Sequence, residues 1–229
     1  MISVLIPARN EAAHLPRLLA RLREMPQIGE IIVADGGSSD QTREIAREMS
    51  AIVVEGARGR GAQQNAAAQI SNGEILWFLH ADVLPSRKSG AQIERAIEKG
   101  ALGGNFRISF QARGFWPRLF EVIARFQRRF GVYYGDSGIW VTRAVFDELG
   151  RFENWPLFED FDFAQRLEAL TKSQNRETIC LAGRLHLSAR RFEKSPARVL
   201  WLWARLQIAF WRGASPESLA RLYYGARDG

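Results

Sequence analysis

Short apolar runs alternate with segments of helical periodicity along the first hundred residues of the chain. Apolar runs predict strands at residues 2–7, 30–34, 51–55 and 74–79. Apolar side chains at helical spacing predict helices at residues 11–25, 41–49, 62–70 and 89–99. Because strands and helices alternate, the connections should be right-handed crossovers, which place the strands parallel. The pattern therefore predicts an α/β fold with a mostly parallel central sheet flanked by helices.

The pattern changes after Gly114, where longer aromatic segments begin. A strand is predicted just before it, at residues 103–110. Beyond it, strands are predicted at residues 133–141 and 178–182, and helices at residues 115–130, 144–149 and 161–170. Residues 196–211 are apolar and aromatic, and Arg198, Arg205 and Arg212 recur there every seven residues. That interval, about two helical turns, aligns the three arginines on one stripe. We therefore expect a C-terminal helical tail.

Composition and charge narrow the class of protein. With 46% hydrophobic residues, the chain can bury a sizeable core and is not disordered. Its 32 basic and 25 acidic residues give a net charge of +7, which suits phosphate-bearing ligands, nucleic acid, an anionic membrane surface or simply solubility. A single cysteine, Cys180, fits a reducing compartment. No basic leader or long apolar stretch is found, so we expect a cytoplasmic protein without a membrane-spanning helix.

Three acidic clusters each follow an apolar run. They are centred on Asp35, Asp82 and Asp160. An unpaired charge close to an apolar core is strongly disfavoured, so these carboxylates need a metal, a polar ligand or a catalytic task in compensation. In open α/β sheets, ligands bind beyond the carboxyl ends of the strands, where these clusters are predicted to lie. The chain is therefore predicted to be an enzyme.

The loops after the first two predicted strands lack the phosphate-binding motifs of the common nucleotide folds. Neither G-x-G-x-x-G nor G-x-x-x-x-G-K-[ST] occurs there. A nucleotide site would therefore be built from side chains, and Glu11 and Asp35 can accept hydrogen bonds from ribose hydroxyls or a base N–H. The alternative for Asn10 and Glu11 is an ordinary helix N-terminus, where an acidic residue is favourable.

A basic loop with glycines precedes the third predicted helix, between Arg58 and Asn65. Glycine lets the backbone approach an anion, and the start of a helix adds partial positive charge. Arg60 and Asn65 are therefore candidates to contact a phosphate. An ordinary flexible turn with solvated arginines is the alternative.

His80 and Asp82 flank Ala81 after the fourth predicted strand. In an extended segment, residues two apart face the same way, so both side chains would point toward one ligand. An aspartate oxygen suits Mg²⁺ or Mn²⁺, and the histidine nitrogen favours Mn²⁺. A cation here would neutralise a diphosphate leaving group. A hydrogen-bonded core histidine, followed by a turn-capping Asp82, is the structural alternative.

Glu159 and Asp160 lie in an aromatic stretch of the sequence. The aromatic residues around them are Trp155, Phe158, Phe161 and Phe163. Burial among such side chains raises the pKa of a carboxylate by desolvation. Asp160 is therefore a candidate general base. The alternative is that Asp160 caps the helix that follows.

Together, these motifs resemble those of the family 2 nucleotide-sugar glycosyltransferases, which have the GT-A fold. The similarity runs from Ile2 to about Arg166 and comprises I-P-A-R-N-E, D-G-G-S-S-D-Q-T, the loop of residues 60–65, H-A-D and E-D, in that order. The H-A-D segment resembles the family's D-x-D motif, with His80 in place of the first acidic residue. Later segments resemble, more narrowly, a small bacterial subgroup associated with arsenosugar synthesis.

The resemblance implies a Rossmann-like GT-A sheet and specific roles for residues. Pro7, Glu11 and Asp35 would line the pocket for uridine or another base. Asp82, with His80, would bind Mn²⁺ or Mg²⁺ on the diphosphate, and Asp160 would be the base of an inverting transfer. The full set of predicted donor-binding residues is Pro7, Asn10, Glu11, Asp35, Gly36, Arg60, Asn65, Ala81, Asp82, Glu159, Arg190 and Arg191, the last two as a clamp on the diphosphate.

The predicted reaction moves a sugar from a nucleoside-diphosphate donor, with UDP as the expected nucleotide, to an acceptor hydroxyl. The acceptor is a small molecule or is linked to a lipid. We expect a single domain over residues 1–229. Its nucleotide-binding half spans residues 1–100, its acceptor-binding and catalytic half residues 101–195, and its helical tail residues 196–229.

Two other functions compete with this prediction. A sugar-phosphate nucleotidyltransferase would use a similar sheet, but such enzymes usually carry a glycine-rich basic loop that residues 8–11 do not form. A binding module for anions would use the basic excess, but acidic strand ends would repel nucleic acid, so no nucleic-acid partner is expected. The tail instead offers peripheral contact with the inner face of a membrane, packing on the domain, or packing on a second subunit of a homo-oligomer. Its aromatic side chains are Trp201, Trp203, Phe210 and Trp211.

Overall fold

The computed structural model describes residues 1–112, 114–188 and 195–225. The strands of these residues are β1 (Ile2–Ala8), β2 (Ile28–Asp35), β3 (Ile52–Glu55), β4 (Ile75–Phe78), β5 (Val83–Pro85), β6 (Gly103–Phe110), β7 (Trp140–Thr142) and β8 (Ile179–Leu187). Their helices are α1 (Leu15–Arg23), α2 (Thr42–Glu48), α3 (Arg60–Ile70), α4 (Ser89–Glu98), α5 (Phe115–Arg128), α6 (Arg143–Glu148), α7 (Glu159–Ser173), α8 (Pro196–Trp211) and α9 (Pro216–Gly225). A short 3₁₀ helix spans Gly135–Ser137.

All of these strands join one sheet in the order β3-β2-β1-β4-β7-β6-β8-β5. β1 pairs in parallel with β2 and β4, β2 pairs in parallel with β3, and β6 pairs in parallel with β8. β7 runs antiparallel to β4 and β6, and β5 runs antiparallel to β8. Among the described strands, only β5 and β7 therefore oppose the common direction. The predicted mostly parallel sheet is confirmed.

Side chains of β1 alternate between the two faces of the sheet. Val4 and Ile6 lie in a core cluster with Leu18 of α1. Leu5 lies in a second cluster, with Leu167 of α7. Because helices cover both faces, such strands are buried on both sides and consist of continuous apolar runs. This burial explains why the sequence reveals β1 so clearly.

The C-terminal helices pack against the beginning of α7. Leu206 of α8 and Leu219 of α9 join Phe161 in a third core cluster. Phe210 stacks on Phe158 with 5.2 Å between the ring centroids. The predicted helical tail is therefore present, and its inner face covers the residues next to Glu159 and Asp160.

The four aromatic side chains that suggest membrane contact divide into two pairs. Trp203 packs edge-on against Phe120 of α5 at 5.4 Å, and Phe210 is packed as described above. Trp201 and Trp211 are 60% and 65% exposed. Only the second pair therefore faces away from the protein. Within the described part of the chain, every helix is too short or too polar to cross a bilayer.

Three segments differ from the elements that the sequence predicts. Residues 133–141 are predicted as a strand, but β7 begins only at Trp140. Residues 135–137 form the 3₁₀ helix because the N–H and the hydroxyl of Ser137 both donate to the Tyr134 carbonyl. The Gly135 N–H donates to the side chain of Asp160 in α7. β5 and α9 are not predicted; β5 has three residues and depends on pairing with distant β8.

Candidate active site

The loops that follow β1, β2 and β4 lie at one edge of the sheet because the three strands are parallel. Ala8 at the end of β1 pairs with Asp35 at the end of β2, and Leu5 pairs with Phe78, the last residue of β4. Pro7 is buried within β1, just before that edge. This edge is where open parallel sheets bind ligands.

Asp35 is 1% exposed and fixes the loop that follows it. Its Oδ2 accepts hydrogen bonds from the N–H groups of Gly37 (3.0 Å) and Ser38 (2.9 Å), and its Oδ1 accepts the Ser38 hydroxyl. Aspartate commonly closes a turn by bonding to the backbone two residues on. The side chain of Asp35 is thus engaged by its own loop, whereas Gly36 beside it is partly exposed.

The loops after β1 and β2 are joined by hydrogen bonds. The Asn10 N–H donates to the Ser38 hydroxyl at 2.9 Å, and the Asn10 Oδ1 accepts the Ser39 N–H at 2.8 Å. The Glu11 N–H donates to the Thr42 hydroxyl at 2.9 Å. Asn10 adopts a positive φ of 56°, which asparagine tolerates better than most residues. The two loops therefore form one continuous polar shelf, and α1 begins only at Leu15, beyond it.

Gln63 of α3 connects the ends of β1 and β2, a role that the sequence does not predict. Its Nε2 donates to the carbonyl of Ala8 at 3.0 Å and to that of Ala34 at 2.7 Å. A Cβ added to Gly36 would lie 2.9 Å from this Nε2, so glycine permits the close approach. In the structure, Gln63 lies one helical turn before buried Ala67 and faces the sheet, but no signal in the sequence gives its partners.

The first turn of α3 also reaches the acidic pair of α7. Arg60 Nε lies 2.9 Å from Glu159 Oε1, so this arginine is not simply solvated. Asn65 instead clamps the backbone of Phe152: its Nδ2 donates to the Phe152 carbonyl at 2.8 Å, and its Oδ1 accepts the Phe152 N–H at 3.1 Å. The basic loop is thus ordered, with Arg60 at the carboxylates and Asn65 bonded to the backbone.

Asp160 and His80 converge beside Gly135. Asp160 Oδ2 accepts the Gly135 N–H at 2.7 Å. A Cβ added to Gly135 would lie 2.8 Å from Asp160 Oδ2 and 3.2 Å from His80 Nε2. Phe158, which precedes α7, has a positive φ of 69°, and such backbone strain in a non-glycine residue clusters at functional sites. The fold therefore holds a carboxylate and an imidazole at one point, where only glycine fits.

Glu159 is the carboxylate whose ionisation the surroundings perturb. It is 1% exposed. Burial, assisted by the adjacent charge of Asp160, raises the pKa of Glu159 to about 7, although Arg60 acts in the opposite direction. For Arg60, burial lowers the pKa, but the two carboxylates outweigh that effect and raise it above its ordinary value. Glu159 Oε2 has no hydrogen-bond partner among the described residues.

His80, Ala81 and Asp82 form a turn rather than the extended segment that the spacing predicts. The Val83 N–H donates to the His80 carbonyl at 3.2 Å, which closes the turn. The alternation of side chains along a strand therefore does not apply to His80 and Asp82, because β4 ends at Phe78 and the chain turns before β5. Ala81 is buried, whereas His80 and Asp82 are partly exposed.

This pair suits a cation only in combination with other ligands. The described residues contain no group of three or more His, Cys, Asp or Glu side chains that could hold a metal ion. Mg²⁺ and Mn²⁺ favour six ligands, and Mg²⁺ commonly binds through one or two carboxylates, water and substrate phosphates. The donor set of Asp82 and His80 fits that arrangement, with a bound diphosphate supplying the remaining oxygens.

A cavity of about 780 Å³ extends from His80 and Asp160 toward the C-terminal helices. Arg60, His80 and Asp160 line one part of it, and side chains of α5 and α8 line the rest. Asp160 is 9% exposed, so its carboxylate reaches the cavity from a largely buried position. Asp160, His80 and Arg60 are therefore brought together at one opening.

The predicted diphosphate clamp, Arg190 and Arg191, lies outside the described residues. Arg60 and Gln63 both belong to the first turn of α3 and therefore connect the polar shelf to the carboxylates.

The fold and this site define the class: an α/β protein with a ligand site beyond the carboxyl ends of its parallel strands. The sequence model of the family described as Glycosyl transferase family 2 matches residues 3–149. The chain therefore belongs to glycosyl transferase family 2, and the predicted family is confirmed. The narrower resemblance to the arsenosugar subgroup stays a prediction.

Relatives with assigned names match part of their own length. The undecaprenyl-phosphate 4-deoxy-4-formamido-L-arabinose transferase of Aeromonas hydrophila is 29% identical over 154 residues, which cover 60% of this chain and 47% of that protein. The chain spans between 24% and 56% of the length of the first curated relatives that it matches.

Solved structures with the same fold include two with bound sugar donors. A fragment of S. aureus TarS in complex with UDP-GlcNAc has a TM-score of 0.68 at 17% identity, covering 91% of this chain and 65% of that one. The mannosyltransferase PcManGT from Pyrobaculum calidifontis, in complex with GDP-Man and Mn²⁺, has a TM-score of 0.67 at 18% identity, covering 98% and 70%. These likenesses confirm the predicted GT-A fold.

Proposed function

We propose that this chain transfers a sugar, with inversion, from a nucleoside-diphosphate donor to an acceptor hydroxyl. The observation that carries the proposal is the convergence of Asp160 and His80 beside Gly135, in a cavity adjoining the strand ends. Family membership supports the reaction class. The relatives named above differ in donor nucleotide, since one binds UDP-GlcNAc and the other GDP-Man. UDP is the nucleotide that the resemblance of the motifs favours.

The polar shelf formed by the loops after β1 and β2 would receive the nucleoside. Asn10 lies exposed on it and Gly36 is partly exposed, so both can meet a ligand. Asp35 would act through the loop that it orders, because its oxygens already accept three hydrogen bonds. Pro7 and Glu11 flank the shelf at the end of β1. This assignment keeps the predicted pocket and changes how Asp35 contributes to it.

Asp160 would act as the general base. Its carboxylate takes the proton of the acceptor hydroxyl, the freed oxygen bonds the anomeric carbon, and the bond from that carbon to the diphosphate oxygen breaks. The nucleoside diphosphate leaves with the electron pair. The Gly135 N–H at 2.7 Å orients the carboxylate, and each carboxylate oxygen retains a further lone pair for the proton.

Arg60 would face the departing diphosphate, and Glu159 would hold the Arg60 side chain in place. Among the described residues, the ion pair with Glu159 is made through Nε at 2.9 Å. The terminal guanidinium nitrogens can then donate to phosphate oxygens, for which arginine has matching geometry. A bound Mn²⁺ or Mg²⁺, held by Asp82 and His80, would neutralise charge on the same group. Ala81, Asn65 and Glu159 would position these side chains rather than contact the donor.

The test measures UDP release from UDP-sugars, with water as the acceptor, beside UDP binding in the presence of Mn²⁺. Asp160→Asn should lower the release rate by roughly 10²–10⁴-fold and leave UDP affinity nearly unchanged. Asp82→Ala should abolish the Mn²⁺ dependence of UDP binding. Asp162→Asn is the matched control, because Asp162 lies on the same turn of α7 but bonds Arg166 at 2.8 Å. Normal release by Asp160→Asn would refute the base assignment.

The acceptor is either a small molecule or linked to a lipid. The name of the Aeromonas hydrophila relative includes a lipid phosphate, which supports the second class for that protein.

A further inference from the structure

The outer face of α5 presents a continuous apolar stripe. Its members recur at intervals of four, three, four and four residues, which keeps them on one side of the helix. They are Phe115, Leu119, Val122, Phe126 and Phe130, the last just beyond the helix end. Four of them are strongly exposed: Phe115 at 70%, Val122 at 57%, Phe126 at 59% and Phe130 at 65%. An exposed contiguous apolar surface marks a site of interaction.

The outer face of α8 has a second stripe of the same kind. Trp201, Ile208 and Trp211 are 60%, 46% and 65% exposed. Leu202 and Leu206, on the opposite side of the helix, are buried. α8 is therefore apolar on both sides, although only one side packs against the protein.

Arginines accompany both stripes. Those on or at the ends of the two helices with strongly exposed side chains are Arg118, Arg125, Arg129, Arg198, Arg205 and Arg212. The only acidic residue in either helix is Glu121, and it points inward, accepting bonds from the Ser109 hydroxyl at 3.0 Å and the Phe110 N–H at 2.9 Å. Arg205 lies over the Trp201 ring at 5.1 Å. Tryptophan and arginine on one apolar helix face are typical of a membrane interface.

The cavity beside Asp160 opens between the same two helices. Phe120 of α5 contacts Trp203 of α8, so the helices are neighbours. Arg125, Ile208 and Trp211 line the cavity and are also strongly exposed, so they form its mouth. The route to the carboxylate therefore starts at the apolar, basic surface.

The lining of the cavity offers polar groups to a ligand. Gln207 is 5% exposed; its Oε1 accepts the Tyr134 hydroxyl, but its Nε2 has no hydrogen-bond partner among the described residues. Arg107 and Arg184 also line the cavity, lie side by side in the pairing of β6 with β8 and are exposed, and neither forms an ion pair with a described carboxylate. Apolar side chains line the cavity as well, among them Ile123 and Leu200. Such a lining suits an apolar chain joined to an anionic group.

We propose that α5 and α8 dock the chain on an anionic lipid surface, and that the cavity admits an amphiphilic, anionic acceptor from that surface. The docking half stands on the stripes and their arginines alone. The acceptor half rests on the proposed sugar transfer, because it takes Asp160 as the reacting end of the cavity. Charge complementarity selects the occupant, since an anionic surface meets six arginines and no outward-facing carboxylate on these helices.

The first experiment is co-sedimentation of the full chain with phosphatidylcholine vesicles that contain or lack phosphatidylglycerol. The protein should bind only the anionic vesicles. The triple variant R118Q/R205Q/R212Q should bind on the order of a hundredfold more weakly, at about fivefold per arginine. The control K88Q/K99Q/K172Q removes the same charge from exposed lysines elsewhere and should bind like the original protein. Failure to bind anionic vesicles, or equal loss in both triple variants, would overturn the docking surface.

A dimer in solution that Phe126→Ser dissociates would assign this face to a second copy and overturn the proposal too. UDP binding with Mn²⁺, measured on the same samples, separates the two ideas. Vesicle binding without UDP binding contradicts the sugar-transfer function but not the docking surface, and the opposite result contradicts only the docking surface.

The cavity is tested with dodecyl phosphate against inorganic phosphate. Dodecyl phosphate should bind the original protein at least tenfold more tightly than R107Q/R184Q, whereas inorganic phosphate should bind both weakly, because the apolar lining requires a chain. Equal affinity of dodecyl phosphate for the two proteins would refute the acceptor site.

Discussion

Two regions differ in whether their polar groups have partners within the protein: the polar shelf at the ends of β1 and β2, and the cavity between α5 and α8. On the shelf, Asp35 accepts three hydrogen bonds from its own loop, and Asn10 is bonded through both backbone and side chain. In the cavity, the buried Gln207 Nε2 lacks a described partner, and the exposed Arg107 and Arg184 lack a described carboxylate. Native proteins leave few buried polar groups unpaired. The shelf is thus complete by itself, whereas the cavity has groups to offer a ligand.

Asp160 lies between these two regions. Its Oδ2 is held by the Gly135 N–H, while the residue also lines the cavity. Its Oδ1 accepts the Phe161 N–H at 2.7 Å, but each oxygen retains a further lone pair, so the carboxylate can accept a proton from a ligand in the cavity. In terms of the proposed function, the donor side would be prearranged and the acceptor side would be completed by what it binds.

The largest effect is expected at the boundary, from Gly135→Ala. The added Cβ would lie 2.8 Å from Asp160 Oδ2 and 3.2 Å from His80 Nε2, so both side chains must move. Because displacing a reacting group by about 1 Å costs roughly 10²-fold and loss of a base up to about 10⁴-fold, we expect a loss in UDP release of about 10³-fold.

Gly225→Ala is the control for this change, since its added Cβ would meet no described atom within 4 Å. Circular dichroism and thermal unfolding should show both variants folded. UDP release by Gly135→Ala at the rate of the control would contradict the convergence of Asp160 and His80.

The second effect concerns pH and the buried Glu159. Burial and the charge of Asp160 raise the pKa of Glu159 from 4.5 to about 7, against the opposing effect of Arg60. Between these values the folded state binds more protons than the unfolded state, so stability falls as pH rises through this window. The raised pKa corresponds to a destabilisation of the folded state by about 3 kcal/mol, which is fully present above about pH 7.

Glu159→Gln removes this proton linkage. Relative to the original protein, the variant should therefore gain about 3 kcal/mol in free energy of unfolding between about pH 5 and about pH 8. Urea unfolding at several pH values measures the difference. Glu55→Gln is the control, because Glu55 pairs with Arg43 at 3.1 Å on the surface. If the difference in free energy of unfolding between Glu159→Gln and the original protein did not depend on pH, the raised pKa of Glu159 would be refuted.

The two regions also differ in how far the sequence predicts them. β1 to β4 and their helices follow from apolar runs and helical spacing. β1 and β4 are buried on both faces and are almost continuously apolar, whereas β3 at the edge of the sheet is partly exposed. Asp35 follows from its position at the end of β2, whereas Asp160, which the sequence analysis expects beyond a strand end, is the second residue of α7. The sequence predicts the pairing of β6 with β8 less well. β8 continues to Leu187, five residues past its predicted end, because the register shifts after Phe106 and pairing resumes between Arg107 and Arg184.

What could not be predicted depends on contacts between distant residues. The turn at His80 follows from the need to start β5, which exists only through β8. The 3₁₀ helix at Gly135 depends on the hydrogen bond that the Gly135 N–H donates to Asp160, twenty-five residues away. The roles of Gln207 and Gln63 depend on which groups the fold places opposite them, and a glutamine in a helical pattern carries no such information.

The smallest effect sharpens the view that the shelf is complete without a ligand. Gln63 Nε2 donates to the carbonyls of Ala8 and Ala34, so Gln63→Ala leaves two acceptors without this donor. Ala8 retains the bond from the Gly36 N–H at 2.9 Å, so the main loss falls on Ala34. We expect a cost of about 1–2 kcal/mol in the free energy of unfolding.

The same substitution should weaken UDP binding, because the loop after β2 packs against Gln63 through Gly36. Gln69→Ala is the matched control: the residue is on the same helix, exposed, and should change neither quantity by more than about 0.5 kcal/mol. Saturating UDP should restore part of the lost stability, since a ligand that binds only the folded state stabilises it. If Gln63→Ala lost stability but kept UDP affinity, the shelf would support the sheet without forming the donor site.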